Sequence, residues 1–214
     1  MTRKKTHTHN GENTSEFIDR YSSVSSSCSS LERETFTIWM KSLVFHGNGC
    51  TVYNSGGEVV FRVDNYQERC RSEVFLMDSS GKVLFSIKRK KLGIFGCWEG
   101  IKWSNNSKGI KNKGRPCFQV RRNRRIFSRD ILSCRVNLKF DENMGSYYRI
   151  IGLEGKSTLK IIDFSGQLLA EAVRKQSLGV ALGEDVLKLT VEPQVDQSLI
   201  MALVTVYGSI NNKL

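Results

Sequence analysis

Near its C-terminus the chain carries a stretch that restricts every fold it can adopt. Between Leu199 and Tyr207 the only polar residue is Thr205. Pro193 and the good N-cap Asp196 stand upstream, and Gly208 supplies a stop signal downstream. A helix with one apolar stripe can lie on a surface, whereas one that is apolar all round must be enclosed. The segment runs about 13 residues, or roughly 20 Å, against the ~20 residues needed to cross a bilayer. Burial inside a protein shell is therefore the expectation. The competing reading is a short membrane anchor, which would need a thinned bilayer or a dimer.

The rest of the chain supplies the material for a shell. From Thr35 onward, short apolar runs alternate with Gly-containing turns, the pattern of an all-β chain. One unit occurs three times: Val52–Val63, Leu76–Lys88 and Ile161–Glu171. Each is an apolar run, then Asn54, Asp78 or Asp163 with a Ser close behind, then Gly, then a second apolar run. Asp or Asn starts a turn by bonding its own backbone, and Gly supplies positive φ, so each unit predicts a β-hairpin. Further strands are expected at Phe36–Lys41, Cys70–Met77, Phe118–Arg122, Ser133–Phe140, Tyr147–Leu153, Leu159–Asp163 and Val186–Glu192. A weak helical turn is expected around Leu178–Leu182. With the hairpin arms this makes roughly ten to twelve strands and one convincing helix. Many antiparallel strands need a common interior and the apolar helix needs a wall, and a closed barrel meets both needs. A barrel of about twelve strands is too wide for its own side chains to fill, which leaves room for a central helix. Residues 1–33 differ in kind: Ser-rich and poor in apolar residues, they are expected to be a disordered tail, open to phosphorylation, ahead of a domain at 34–214.

Several segments carry a family resemblance. They are Phe36-Thr37-Ile38-Trp39-Met40-Lys41-Ser42 followed by Val52-Tyr53-Asn54, the Tyr66 neighbourhood leading to Leu76-Met77-Asp78 and Gly81-Lys82-Val83-Leu84, Trp98-Glu99-Gly100, and Phe118-Gln119-Val120-Arg121-Arg122. The most specific is the ending, Val191-Glu192-Pro193-Gln194-Val195-Asp196-Gln197-Ser198-Leu199-Ile200-Met201-Ala202-Leu203. From about Glu34 to Asn212 the chain resembles the plant LURP-one-related family. The resemblance implies a mainly β, tubby-like fold: a twelve-stranded antiparallel barrel around a hydrophobic C-terminal helix, in agreement with the reading of the residues alone. It also implies kinship in fold to phosphoinositide-binding tubby domains and to phospholipid scramblases, and for some members a link to plant defence. Tubby's lipid-binding residues find no matching positions here, and the family's biochemical activity is undefined. The Ser-rich tail and a very basic middle are departures from the pattern.

Charge is the strongest functional signal. The net charge is +12, and residues 104–129 carry nine Lys/Arg and no Asp/Glu: Lys108, Lys111, Lys113, Arg115, Arg121, Arg122, Arg124, Arg125 and Arg129. Lys88, Arg89, Lys90 and Lys91 form a second cluster upstream. Such clusters attract anionic lipid headgroups, acidic proteins or nucleic acid. Single-strand binders interleave stacking aromatics, and only Phe118 and Phe127 interrupt the basic run. Phe118 and Val120 alternate with Gln119 and Arg121, so both are expected to face the core. The expected function is a non-enzymatic binding protein docking on anionic lipid, phosphoinositide-like, or on an acidic partner. The alternative is a nuclear or DNA-associated factor using the same charges, and a scramblase-like activity ranks last.

Catalysis finds little support. His7 and His9 lie in the tail, and His46 sits in a Phe45-His46-Gly47-Asn48-Gly49 turn. Six scattered cysteines, at 28, 50, 70, 97, 117 and 134, form no C-x-x-C pair and read as reduced core fillers. Trp39, Trp98 and Trp103 read as barrel packing, with Trp98 or Trp103 as an alternative membrane-interface anchor. No cofactor and no metal site is expected. The start is polar and lacks an apolar signal segment. The protein is expected to be an intracellular monomer, cytoplasmic or nuclear, without a transmembrane span and peripheral where it meets a membrane.

Overall fold

The computed structural model describes residues 30–40, 49–64, 73–90, 96–103, 116–123, 131–139, 147–153, 156, 158–177, 179–183 and 185–211. Fourteen strands run through them in order: β1 (Glu34–Trp39), β2 (Cys50–Tyr53), β3 (Val59–Asp64), β4 (Glu73–Asp78), β5 (Val83–Lys90), β6 (Cys97–Lys102), β7 (Phe118–Arg122), β8 (Ile131–Leu138), β9 (Tyr147–Leu153), β10 (Leu159–Ile162), β11 (Leu168–Arg174), β12 (Gln176–Ser177), β13 (Val180–Ala181) and β14 (Val186–Val191). The helix α1 (Gln197–Ile210) follows. Twelve strands close into an antiparallel barrel in the order β1-β14-β11-β10-β9-β8-β7-β6-β5-β4-β3-β2, and β1 pairs with β2 to shut the ring. Closure leaves none of the twelve with a free edge.

The three predicted hairpins are one structure built three times. In each, the backbone N–H of the leading Asn or Asp donates to a carbonyl four residues on, and the Gly N–H donates back to the leading residue's carbonyl. The side-chain oxygen of Asn54, Asp78 or Asp163 also accepts the backbone N–H of Glu58, Lys82 or Gln167. Gly57, Gly81 and Gly166 close these turns at φ 81°, 86° and 92°. A register shift follows in all three ladders, at Val52/Tyr53, Leu76/Met77 and Ile161/Ile162. This is the turn-plus-bulge geometry that needs Gly at the positive-φ position.

Alternation sends one side of every strand inward. Ile38, Val52, Leu76, Phe85, Ile87, Phe118, Val120, Val136, Ile150, Ile161 and Leu187 are fully enclosed. They meet α1, on which Gln197 through Gly208 are all buried. The helix is the plug that the sequence requires. The hydroxyl of Thr205, buried at mid-helix, donates to the Met201 carbonyl at 2.8 Å and so is not stranded. Tyr207 reaches the wall, its hydroxyl lying 3.0 Å from the Leu153 carbonyl and 3.3 Å from that of Thr158. A Cβ on Gly152 would collide with this hydroxyl, which accounts for glycine there.

Some details differ from the sequence pattern. The helix runs past Gly208 to Ile210 and ends at Asn211, whose N–H donates to Tyr207 and whose side-chain amide donates to the Lys156 carbonyl. Gly208 can be helical because the walls enclose it, and tertiary burial outweighs its propensity to stop a helix. The turn expected at Leu178–Leu182 is instead the small β12–β13 hairpin, folded about Gly179 at φ 79°. Strand β6 goes unannounced, because Gly100 interrupts its alternation. That glycine lies opposite Phe118, whose ring occupies the space a Cβ would need. β8 begins two residues before the predicted Ser133, and the Cys70 end of the predicted fourth strand lies outside the described residues. Trp98 is buried as expected, whereas Trp103 is 47% exposed, because it follows the last residue of β6 at the barrel rim.

Asp196 fixes the mouth through which the helix enters. Its carboxylate accepts the Ser198 hydroxyl at 2.5 Å and the Leu199 N–H at 3.1 Å, and ion-pairs with Lys102 of β6 at 3.0 Å. Burial pushes this carboxyl up, but Ser198, Lys102 and the Leu199 N–H together hold it below the ordinary 3.8. A lowered folded-state value means that the contribution is present above about 3.8 and is lost as pH falls through the folded value. Asp78 and Asp163 behave alike, their carboxyls held down chiefly by the hydroxyls of Ser80 and Ser165. The melting temperature should therefore hold steady down to about pH 5 and drop below pH 4. Asp196→Asn keeps a capping oxygen but loses the Lys102 attraction. In urea titrations it should lose about 1 kcal/mol or less at pH 7, with a shallower acid limb. Leu203, at 0% exposure, faces only the core. Leu203→Ala should cost about 3 kcal/mol by urea titration, and Leu203→Asp should abolish the near-UV circular dichroism of the folded barrel.

Candidate anion-binding surface

The outer face of β7, β8 and β9 gathers positive charge by register. Arg121 lies directly opposite Arg135, and Arg135 directly opposite Arg149. All three side chains are exposed and point outward, because their strand neighbours Val120, Val136 and Ile150 point into the core. Adjacent strands lie about 4.8 Å apart, so the row spans roughly 10 Å. The guanidinium of Arg135 stacks over the Tyr147 ring at 4.2 Å. Among the described residues no carboxylate ion-pairs with any of the three. Like charges placed directly opposite one another destabilise a sheet by a few tenths of a kcal/mol per pair, and a bound anion would relieve that. Guanidinium forks suit phosphate and carboxylate oxygens, two at a time.

Of the thirteen cations singled out in the sequence, five fall on described residues. Lys88 pairs with Glu73 at 3.1 Å, and Lys90 approaches Glu99 at 3.8 Å, so both are partly compensated by neighbouring strands. Glu99 is shared with the Gln119 amide at 2.7 Å. Arg89 is exposed in register with Trp98, and Arg122 is exposed in register with Cys134. Arg121 alone joins the outward row. Lys91, Lys108, Lys111, Lys113, Arg115, Arg124, Arg125 and Arg129 lie outside the described residues. Charge density along the chain misses Arg135 and Arg149, because each is a single cation among apolar neighbours. Strand alternation could have placed both outward, but only the pairing register sets them beside Arg121.

Two apolar residues adjoin this row. Ile131 and Leu153 are paired across β8 and β9, both outward, at 37% and 46% exposure. They stand four residues along each strand from Arg135 and Arg149. Between the two rows lie Ser133 and Ile151.

The thiols form no reactive centre among the described residues. Cys50, Cys97, Cys117 and Cys134 are all buried. Burial pushes the thiols of Cys50 and Cys134 up to about 12 and that of Cys117 up to about 11, so none is a thiolate at neutral pH. Among the described residues no group of three His, Cys, Asp or Glu side chains could hold a metal, and no helix is long and apolar enough to cross a membrane. His7, His9, His46, Cys28 and Cys70 lie outside the described residues.

The fold and the ending of the chain can now be set beside known proteins. A family model described as LURP-one-related matches residues 34–208. The chain belongs to the LURP-one-related family. Protein LURP-one-related 4 of Arabidopsis thaliana is 42% identical over 188 residues, which cover 87% of this chain and 83% of that protein. Protein LURP-one-related 11 of the same plant is 46% identical over 183 residues, covering 84% and 79%. An X-ray structure of another Arabidopsis thaliana protein superposes with a TM-score of 0.61 over 86% of this chain and 94% of its own. At 17% identity that likeness concerns the fold alone. The matched region of this LURP-one-related chain spans the whole barrel from β1 and most of α1. Mass-spectrometric mapping after iodoacetamide at pH 8 should leave Cys50, Cys117 and Cys134 unmodified in the native protein and label all three in urea.

Proposed function

We propose that this LURP-one-related protein is a non-enzymatic, tubby-like docking module whose β7–β9 face seats on an anionic membrane surface. The observation that carries the reading is the row Arg121–Arg135–Arg149, which no described carboxylate neutralises. Each cation near an anionic bilayer is worth about 1 kcal/mol. The apolar pair Ile131 and Leu153 favours a lipid surface over a nucleic acid, because aliphatic side chains next to a cationic row match the boundary between headgroup and acyl chain. Nucleic acid would be served by free aromatic platforms, and the ring beside this row, Tyr147, is already covered by Arg135. The buried, protonated thiols support a binding role over a nucleophilic one. The basic stretches at 88–91 and 108–129 would extend the same attraction.

Vesicle flotation tests this. The full chain should bind vesicles containing phosphatidylserine or phosphorylated phosphatidylinositol and spare neutral phosphatidylcholine, with binding weakened by salt. Arg121→Gln, Arg135→Gln and Arg149→Gln combined should lower affinity roughly 100-fold at low ionic strength. Ile131→Ser with Leu153→Ser should preferentially remove the binding that survives raised salt. Triple-variant binding equal to wild type would overturn the proposal. So would a salt-dependent preference for DNA or RNA over vesicles, which would point to a nuclear factor.

A further inference from the structure

On another face of the barrel the wall carries a hollow of about 510 Å³. It lies over β1 and β14, the end of β2 with the turn after it, and the residues just after β11, and its lining includes Thr35, Thr37, Tyr53, Ser55, Lys175 and Lys188. Counting round the ring, β8 at the centre of the arginine row is five strands from β1 one way and seven the other, so the hollow and the row lie on different faces. Its size lies within the ~300–1,000 Å³ of small-ligand sites.

The register builds its floor. Thr37 of β1 lies opposite Lys188 of β14 on one side and Tyr53 of β2 on the other. The Lys175 ammonium reaches the same threonine and donates to its hydroxyl at 2.7 Å. Both lysines thus approach Thr37 from the β14 and β11 side, with Tyr53 on the other. No carboxylate lines the hollow, and among the described residues neither lysine has an ion-pair partner. The nearby acids are engaged elsewhere: Glu58 accepts the Asn54 amide at 2.9 Å, and Glu171 pairs with Lys160 at 3.2 Å. Two uncompensated cations beside one another repel, and an anion between them would reverse the sign of that interaction. Thr35, Tyr53, Asn54, Ser55 and Gln176 add hydroxyls and amides to the lining, which suit a ligand rich in hydroxyl groups. Point-charge ammoniums ringed by hydroxyls match a tetrahedral phosphate dianion, which needs no planar fork.

We propose that this hollow binds a phosphate ester carried on a small polyol, through Lys175, Lys188 and Thr37. The ester could arrive as a soluble sugar phosphate or as a phosphorylated inositol headgroup, and the shared recognition element is the phosphate on a hydroxylated ring.

Isothermal titration and thermal shift on the full chain, with glucose 6-phosphate, glucose and inorganic phosphate, address the soluble form. Glucose 6-phosphate should raise the melting temperature in a concentration-dependent way, inorganic phosphate less, and glucose not at all. Lys188→Met, at an exposed position that leaves the barrel intact, should weaken glucose 6-phosphate at least tenfold, and Thr37→Val should weaken it further. The arginine-row triple variant should bind it like wild type, which separates this site from the docking face. Flotation on phosphatidylinositol 4-phosphate vesicles addresses the lipid form: a loss in Lys188→Met with the arginine variant unaffected would assign the ester to a headgroup and turn this face, not the arginine row, to the bilayer. No response to glucose 6-phosphate, together with unchanged vesicle binding in Lys188→Met, would overturn the proposal. So would glucose 6-phosphate binding that depends on the arginines and not on Lys188.

Discussion

Burial of α1 is the constraint on which the other features depend. A helix apolar on every side cannot be left in water, and twelve strands arranged as an open sheet could cover only one side of it. Ring closure covers the whole circumference, so β1 must find both β14 and β2 although they lie far apart in the chain. The same closure determines where charge can go. The inward positions of the described strands are taken by apolar side chains, thiols and two glycines, and the cations of those strands are left to the outer face and the rims.

The mouth of the barrel shows how the plug is held in place. Asp196 caps the helix, accepts the Ser198 hydroxyl and pairs with Lys102, so one carboxylate ties the first turn of α1 to the wall. At the other end Tyr207 and Asn211 bond carbonyls around the β9–β10 connection. The glycines at 100 and 152 serve the same packing, each making room for a ring that belongs to another element. The interior thus consists of fitted pairs as well as apolar area, and burial in it keeps the thiols of Cys50, Cys117 and Cys134 protonated.

The outer face divides by register into surfaces of different character. Cations on β4–β6 meet acids across the strands, as in Lys88–Glu73 and Lys90–Glu99. On β7–β9 three arginines stand in one cross-strand row, and Lys188 of β14 and Lys175 after β11 stand beside Thr37 of β1. Cross-strand neighbours four to five ångströms apart decide whether a cation is compensated or available. Membership in the LURP-one-related family agrees with the barrel, and the proposed ligands rest on these local neighbourhoods.

Much of this was legible in the residues alone. The uniform apolar run 199–207 demanded enclosure, and the Asn/Asp–Ser–Gly units forecast three hairpins because turn chemistry is local: a side-chain oxygen, a hydroxyl and a positive φ within five residues. Asp196 was recognisable as the cap for the same reason. Strand β6 was hidden, since the ring that justifies Gly100 belongs to Phe118, eighteen residues on. The helix end was misplaced, since the groups that hold Asn211 come from the β9–β10 connection. The density of Lys and Arg along the chain marked a basic protein, whereas Arg135 and Arg149, and the lysines about Thr37, become neighbours only through pairing between strands. Local chemistry therefore determined the turns, the cap and the need for a barrel. Only the tertiary structure decided which charges stand together, because register is a relation between distant segments that no single segment contains.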